Sequence, residues 1–278
     1  MRIVIKIKSL FILLVLLFSF VESIFASFEI SGNGARSRAM GLAYVGLADS
    51  PDVIFINCSG LAQIRQTSLN LFYSRPFGMK ELSFGSMAAV LPTIVGHFGA
   101  GIVSYGNEIY REQTVMFAFS RSVRKKLYLG INFHYMKLQI NGYGSNFSYS
   151  FDFGLLVKIT ENCKWGFTAT NLNRAEIGAA QEQLPQSFSS GFSLSPVAGL
   201  ILNMDIFKDI DFPAEFRAGI EYLIFNRIAL RTGITTQPDN FCAGLGMMFS
   251  HFQIEYAMTT HADLGLTHQF GIQLQLKP

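Results

Sequence analysis

Charged side chains recur on one face of several alternating segments in the second half of the chain. Each lies between residues that alternate apolar and polar, which is the period of a β-strand with two different faces. The residues that we place on this polar face are Asp152, Glu215, Arg217, Glu221, Arg227, Arg231, His251 and Glu255. These side chains can form an ion-pair network that holds the N-terminal segment through Arg36, Arg38, Asp49 or Asp52, or they can line a polar path or ligand site. Both interpretations are open from the sequence.

Other residues that could carry chemistry do not have the spacing that chemistry needs. His134, His251, His261 and His268 fall on different segments without metal-ligand spacing, and the three cysteines match no zinc or redox motif. There is no nucleophile elbow, paired-carboxylate site or phosphate-binding loop in a suitable setting. The sequence therefore predicts no enzyme, no cofactor and no metal. A dispersed formal charge of +3 gives no reason to expect a nucleic-acid partner.

The elements that position the charged residues are strands. From about residue 67 onward the sequence alternates, most clearly over 147–159, where aromatic and aliphatic residues oppose Ser, Asp, Gly and Lys. Repetition of this pattern predicts about 14 strands, an even number, as bacterial outer-membrane barrels have. We place them near 67–74, 82–91, 96–104, 113–120, 127–138, 147–159, 163–171, 187–195, 199–206, 214–223, 227–235, 239–248, 251–258 and 266–276.

The connections between these strands indicate an orientation. The longer ones are expected at one end, at 105–112, 139–146, 172–186, 207–213 and 259–265. Outer-membrane barrels alternate long external loops with short periplasmic turns. A soluble β-sandwich is the alternative, but it has no reason to collect its long loops at one end. The sequence thus predicts an all-β fold, a transmembrane antiparallel up-and-down β-barrel with a small N-terminal helical plug.

The first residues have the layout of a secretory signal peptide. Arg2, Lys6 and Lys8 precede an apolar run over 10–21, and a cleavage point follows Ala26. A membrane-spanning helix is the competing interpretation, but it needs roughly 20 apolar residues. We therefore expect a signal peptide over 1–26, a plug over 27–66 and a barrel over 67–278. Export by this route leads to the bacterial outer membrane, whose lipid would surround the barrel.

Residues 27–66 break the alternation and carry a recognisable motif. The run of small residues over 34–49 and the Asn-Cys-Ser-Gly-Leu-Ala segment over 57–62 resemble the N-terminal signature of the PorV/PorQ family, a branch of the FadL long-chain fatty acid transporter superfamily. Cys58 and Ser59 stand where that signature has Pro and Ala. The positions that carry the resemblance, and that we expect to form the plug, are Arg36, Met40, Gly41, Tyr44, Asp49, Asn57 and Gly60.

The resemblance implies two different functions. As a protein of PorV/PorQ type, the chain would handle or tether secreted proteins in a type IX-like secretion pathway, with secretion-system proteins or secreted cargo as partners. As a FadL-like protein, it would move a hydrophobic small molecule passively across the outer membrane. The first is closer to the family branch that the motif resembles, and the second is the alternative. Composition and spacing do not choose between them.

Overall fold

The computed structural model describes Phe28 and residues 33–276, and fourteen of its strands close into one antiparallel barrel. The barrel that the sequence predicts is confirmed; the expected signal peptide over 1–26 lies outside the described residues. The barrel strands are β1 (Ser68–Arg75), β2 (Phe84–Pro92), β3 (His97–Gly106), β4 (Tyr110–Val123), β5 (Leu127–Ile140), β6 (Gly144–Thr160), β7 (Cys163–Thr170), β10 (Ser187–Leu194), β11 (Leu200–Asp209), β12 (Glu215–Ile224), β13 (Ile228–Thr236), β14 (Asp239–Met248), β15 (Phe252–His261) and β16 (Gly265–Gln275).

Each barrel strand pairs with the barrel strands that precede and follow it in the chain, β7 pairs with β10, and β16 pairs with β1 to close the barrel. The connection between β7 and β10 contains a short ribbon of β8 (Glu176–Ile177) and β9 (Glu182–Gln183). This connection and the one over 76–83, which holds two short 3₁₀ turns, lie at the same end of the barrel. Both chain ends of the barrel lie at the opposite end, where the turns are short.

The expected loops at 105–112, 139–146 and 259–265 are mostly strand, so this part of the prediction was wrong, whereas most of 207–213 is a connection as expected. For example, β4 already begins at Tyr110, and only residues 141–143 separate β5 from β6. The polar residues at these strand ends continue the backbone hydrogen-bond ladder beyond the apolar segment. Glycines at positive φ, such as Gly142 and Gly144, then allow a tight reversal in place of a long loop.

The two faces of the wall differ as the alternation predicts. Outward residues such as Phe117 and Ile131 are 58% and 61% exposed, whereas the inward Asn132 and His134 on the same strand as Ile131 are buried. A continuous apolar outer surface over a polar interior is what a transmembrane barrel presents to lipid. Within Phe28 and residues 33–276, no helix has the length and apolar character needed to cross a membrane.

Residues 33–66 fold inside the barrel. They form one short helix, α1 (Ala35–Ala39), and two 3₁₀ helices, Pro51–Phe55 and Cys58–Gln63. Their apolar side chains pack as one core with inward residues of the wall, including Val90 of β2 and Met116 of β4. Burial against the wall supplies the stability that such short helical segments lack alone. We call residues 33–66 the plug.

Glycines in the wall let the plug approach the strands at backbone distance. A Cβ on Gly233 of β13 would lie 2.2 Å from the carbonyl carbon of Met40, and one on Gly130 of β5 would lie 2.5 Å from the amide nitrogen of Ser59. Real Cβ atoms do not come this close to backbone atoms. A side chain at either position would push the plug away from the wall.

An arginine placed at two positions along the outward face of β5 tests whether this face meets the hydrocarbon of the membrane. Ile131→Arg, in the middle of β5, should lower the free energy of unfolding by about 2–4 kcal/mol, because a guanidinium there faces hydrocarbon. Gln139→Arg, outward on the same strand but near its end, is the matched control and should change it by at most about 1 kcal/mol. The measurement is chemical unfolding of the protein in lipid vesicles. Equal costs at the two sites would contradict a membrane-facing belt.

Candidate functional site

Glu221 of β12 joins the plug to the wall through two arginines. Its two carboxylate oxygens accept hydrogen bonds from Nη2 and Nε of Arg36 on α1, both at 2.8 Å. The same carboxylate accepts a 2.6 Å hydrogen bond from Nε of Arg231, its register partner on β13. Glu221 and Arg231 are buried and the Arg36 side chain is 13% exposed, and charge-assisted hydrogen bonds of this kind are stronger than those between neutral groups. One wall carboxylate therefore holds one plug cation and one wall cation.

Within the plug, Arg36 reaches a second carboxylate. Its Nη1 donates to Asp49 at 2.8 Å and to the Tyr44 hydroxyl at 3.0 Å, and that hydroxyl donates to Asp49 at 2.7 Å. Burial alone would lower the pKa of Arg36, but Asp49 and Glu221 hold it well above its ordinary value. The guanidinium thus stays charged between one plug acid and one wall acid. These contacts connect three of the predicted motif residues.

The remaining motif residues shape the plug backbone. Gly41 has φ +62° and lies against the backbone of Ile234, and Gly60 lies so close to Ala48 that a Cβ would come within 2.2 Å of its carbonyl oxygen. Asn57 caps the second 3₁₀ helix by accepting from the Ser59 amide. Met40 is fully buried between the plug and the glycines of β12 and β13.

Wall side chains also hold the irregular backbone of the plug, and sequence reasoning missed most of these. Asp205 of β11 accepts from the amides of Tyr44 and Val45 at 2.7 and 2.8 Å. The amides of Asn203 and Asn132 donate to the carbonyls of Ala43 and Ile54 at 2.8 and 3.0 Å. Irregular backbone is tolerated inside a membrane barrel only where such partners satisfy it.

The predicted polar-face residues separate into three groups. Glu221, Arg231 and Glu255 belong to the buried network, which Arg231 extends to Glu255 at 3.3 Å. Asp152, Glu215 and Arg217 line an open cavity. Arg227 and His251 do not face the lumen as expected. They lie exposed in the turns before β13 and β15, because alternation cannot distinguish a strand residue from one just past the strand end.

The lumen on the long-loop side of the plug contains a cavity of about 770 Å³. Aromatic rings dominate its apolar lining, and Met136 and the plug residue Leu42 add to it. The rings come from the described N-terminal residue Phe28, from the plug, from β1, β2 and β11, and from the loops. They include Phe28, Phe55, Phe72, Phe84, Phe207 and Phe212. A cavity of this size with an apolar lining and few polar groups is typical of small-molecule sites.

Polar groups occupy defined places in the cavity wall. The guanidinium of Arg217 stacks over the Phe207 ring at 4.0 Å and pairs with Glu215 at 2.7 Å. His134 pairs with Asp152 at 2.6 Å on the neighbouring strand. Arg38 of the plug also faces the cavity, and burial lowers its pKa to about 10. The cavity can thus surround an apolar molecule and offer it a few fixed polar contacts.

The network predicts a large effect of one neutral substitution. Glu221→Gln removes the negative charge between Arg36 and Arg231 and should lower the free energy of unfolding by about 3 kcal/mol, because each guanidinium then keeps only one carboxylate, Asp49 or Glu255. It should also loosen the plug and raise ion conductance in planar bilayers. Glu161→Gln, in an exposed ion pair with Lys158, is the control and should change neither measurement. Wild-type stability and conductance for Glu221→Gln would contradict the role of Glu221.

Asp52 of the plug predicts a pH dependence. Burial raises its pKa from 3.8 to about 6, and its Oδ2 atom has no hydrogen-bond partner within the described part of the chain. The folded state therefore holds this proton more tightly than the unfolded state, so the contribution is present at low pH and is lost as pH rises from about 4 towards 6. Between about pH 4 and pH 7 the loss should be about 2 kcal/mol. In Asp52→Asn the free energy of unfolding should no longer fall by this amount between about pH 4 and pH 7. If chemical unfolding shows the same pH dependence as in the wild type, the assignment to Asp52 is contradicted.

No family model matches the chain, and no curated protein matches it. Solved structures do. The CymD monoaromatic hydrocarbon channel is 11% identical, with 91% of this chain and 100% of that chain covered and a TM-score of 0.67. The toluene transporter TbuX of Ralstonia pickettii is 14% identical, with 90% and 100% covered and a TM-score of 0.66. A FadL homologue of Pseudomonas aeruginosa is 11% identical, with 89% and 98% covered and a TM-score of 0.62. The chain therefore has the fold of FadL-type hydrocarbon channels.

Proposed function

We propose that the protein is an outer-membrane channel that admits a hydrophobic small molecule passively. The observation that carries the proposal is the cavity of about 770 Å³ between the plug and the long-loop end of the barrel. Its rings exclude water and favour an apolar ligand, since the free energy of transfer grows with the apolar area removed from water. The barrel brings no energy source, so movement follows the concentration gradient of the ligand.

The plug gives the channel its selectivity. Below the cavity, the plug backbone lies against wall glycines and Arg36 of the plug is paired with Glu221 of the wall, so ions and water meet a packed barrier. An apolar ligand can instead collect against Phe55 and Leu42, which form the plug side of the cavity. Passage from there requires a change in the plug or the wall. The free-energy cost of moving the plug is set by the buried network around Glu221.

The protein-handling role that the PorV/PorQ resemblance implies gains less support. Solved structures that share this fold include a hydrocarbon channel and a toluene transporter, and an aromatic cavity has no evident use in tethering secreted proteins. The transport alternative therefore accounts for more of the structure. An assembly with secretion proteins would instead be visible as stoichiometric partners after purification in mild detergent.

Filling the cavity should block uptake. Ser150 lies on β6, is buried and lines the cavity, so Ser150→Trp places an indole where the ligand would lie. We expect the rate of radiolabelled toluene uptake, in cells that lack other hydrocarbon channels, to fall about tenfold or more. Toluene binding to the purified protein should weaken by a similar factor, since one tenfold change corresponds to about 1.4 kcal/mol.

The matched control places the same side chain on the opposite face of the same strand. Ser145 is exposed and outward-facing near the start of β6, so Ser145→Trp adds the indole without entering the cavity. Uptake and binding should then remain at wild-type values. Undiminished uptake by a folded Ser150→Trp variant would reject the cavity as the transport site, and stoichiometric secretion partners without toluene binding would favour the protein-handling role.

A further inference from the structure

The outer surface of β4 and β5 carries a compact basic and amide patch near the long-loop end. Arg111 and Gln113 project outward from β4, and Lys137 and Gln139 project outward from β5. The strand register pairs Arg111 with Gln139 and Gln113 with Lys137. The four side chains thus form a square in which the two cations are diagonal neighbours, with Cα atoms about 7–8 Å apart.

The patch lies directly beyond a row of outward aromatic rings. Tyr135 stacks on Phe147 with ring centroids 5.7 Å apart, and Tyr135 pairs in register with Tyr149 on β6. Rows of aromatic residues mark the level of the lipid headgroups in membrane barrels. Lys137 is two residues beyond Tyr135, a step of about 7 Å along the strand. The cations therefore face sideways into the headgroup layer.

No ion pair among the described residues neutralises this patch, and apart from Glu112 the acid nearest to Arg111 in the sequence is Glu108, in the turn before β4. Neither Arg111 nor Lys137 has an ion-pair partner within residues 33–276, and the outward positions around them on β3 to β6 carry no acid. The adjacent Glu112 points inward, where it accepts from the Phe28 amide and the Tyr110 hydroxyl. Lys137 is oriented over the Phe147 ring, with Nζ 5.9 Å from its centroid.

We propose that this patch binds the phosphate group of a lipid in the outer leaflet. Arginine offers a planar pair of donors that fits a phosphate, lysine adds a point charge, and the two glutamine amides supply further donors. The occupant is a membrane lipid, because the patch is continuous with the apolar belt and the acyl chains would lie on Tyr135 and Tyr149. This site is separate from the cavity and depends only on the location of the barrel in the membrane.

The test is native mass spectrometry of the full-length protein in mild detergent, titrated with lipid A that carries two phosphates. Arg111→Gln together with Lys137→Gln should weaken lipid A binding about tenfold to thirtyfold, since each cation near a lipid headgroup contributes roughly a fivefold effect. Arg75→Gln together with Lys80→Gln removes the same charge from the same end of the barrel, on β1 and in the following loop, and should leave binding unchanged. The double variant Arg111→Lys and Lys137→Arg, which keeps both charges, should retain most of the lipid A binding.

Migration of unheated samples in gels shows whether each variant is folded, so a loss of binding is read only from folded barrels. Equal binding of lipid A and its dephosphorylated form would overturn the proposal, as would an equal loss in the Arg75 and Lys80 control. Inorganic phosphate that binds as tightly as lipid A would overturn the assignment to a lipid. Toluene uptake is expected to be normal in the Arg111 and Lys137 variant, so this site and the transport function can fail independently.

Discussion

A plug inside a barrel is shielded from water, so its backbone polar groups and its charges need partners within the protein. The carboxylate of Glu221 is the central partner for these charges. It binds Arg36 from the plug and Arg231 from the wall, so neither guanidinium is left alone in a buried setting. Removing one partner of a buried ion pair lowers the free energy of unfolding strongly, whereas replacing the whole pair by well-packed apolar residues often does not lower it at all. The network therefore fixes where the plug sits more than how stable the barrel is.

The position of the plug determines the rest of the lumen. Glycines such as Gly233 and Gly130 bring the wall close to the plug backbone, and Asp205 satisfies two plug amides at the same interface. A second, smaller core joins Met136 and Leu138 of β5 to the connection between β7 and β10. On the long-loop side of the plug, inward side chains pair with one another, as His134 does with Asp152, and they surround an aromatic cavity. A shift of the plug would change the cavity floor, since Phe55 and Leu42 belong to both.

The sequence predicts the barrel well because each strand has an apolar face and a polar face, and these appear in the sequence as alternating apolar and polar residues. It predicts that Glu221 and Arg231 face inward, but the bond from Glu221 to Arg36 joins residues 185 positions apart and depends on how the plug is packed. The alternation predicts that Arg227 faces the lumen, but this residue lies exposed in a turn, because the alternation continues past the strand end. Glycine contacts such as that of Gly233 escaped notice, since a missing side chain gives no periodic signal. The cavity could not be predicted from the sequence, because its lining residues come from the plug, several strands and loops that only the folded barrel brings together.

The central claim is that the cavity between the plug and the long-loop end holds an apolar ligand. The most direct measurement is a crystal structure of the protein grown with bromobenzene, using the anomalous signal of bromine to locate it. We expect a bromine peak in the cavity, within contact distance of Phe55, Phe72 or Phe207. Peaks confined to the lipid-facing surface, with none in the cavity, would contradict the account.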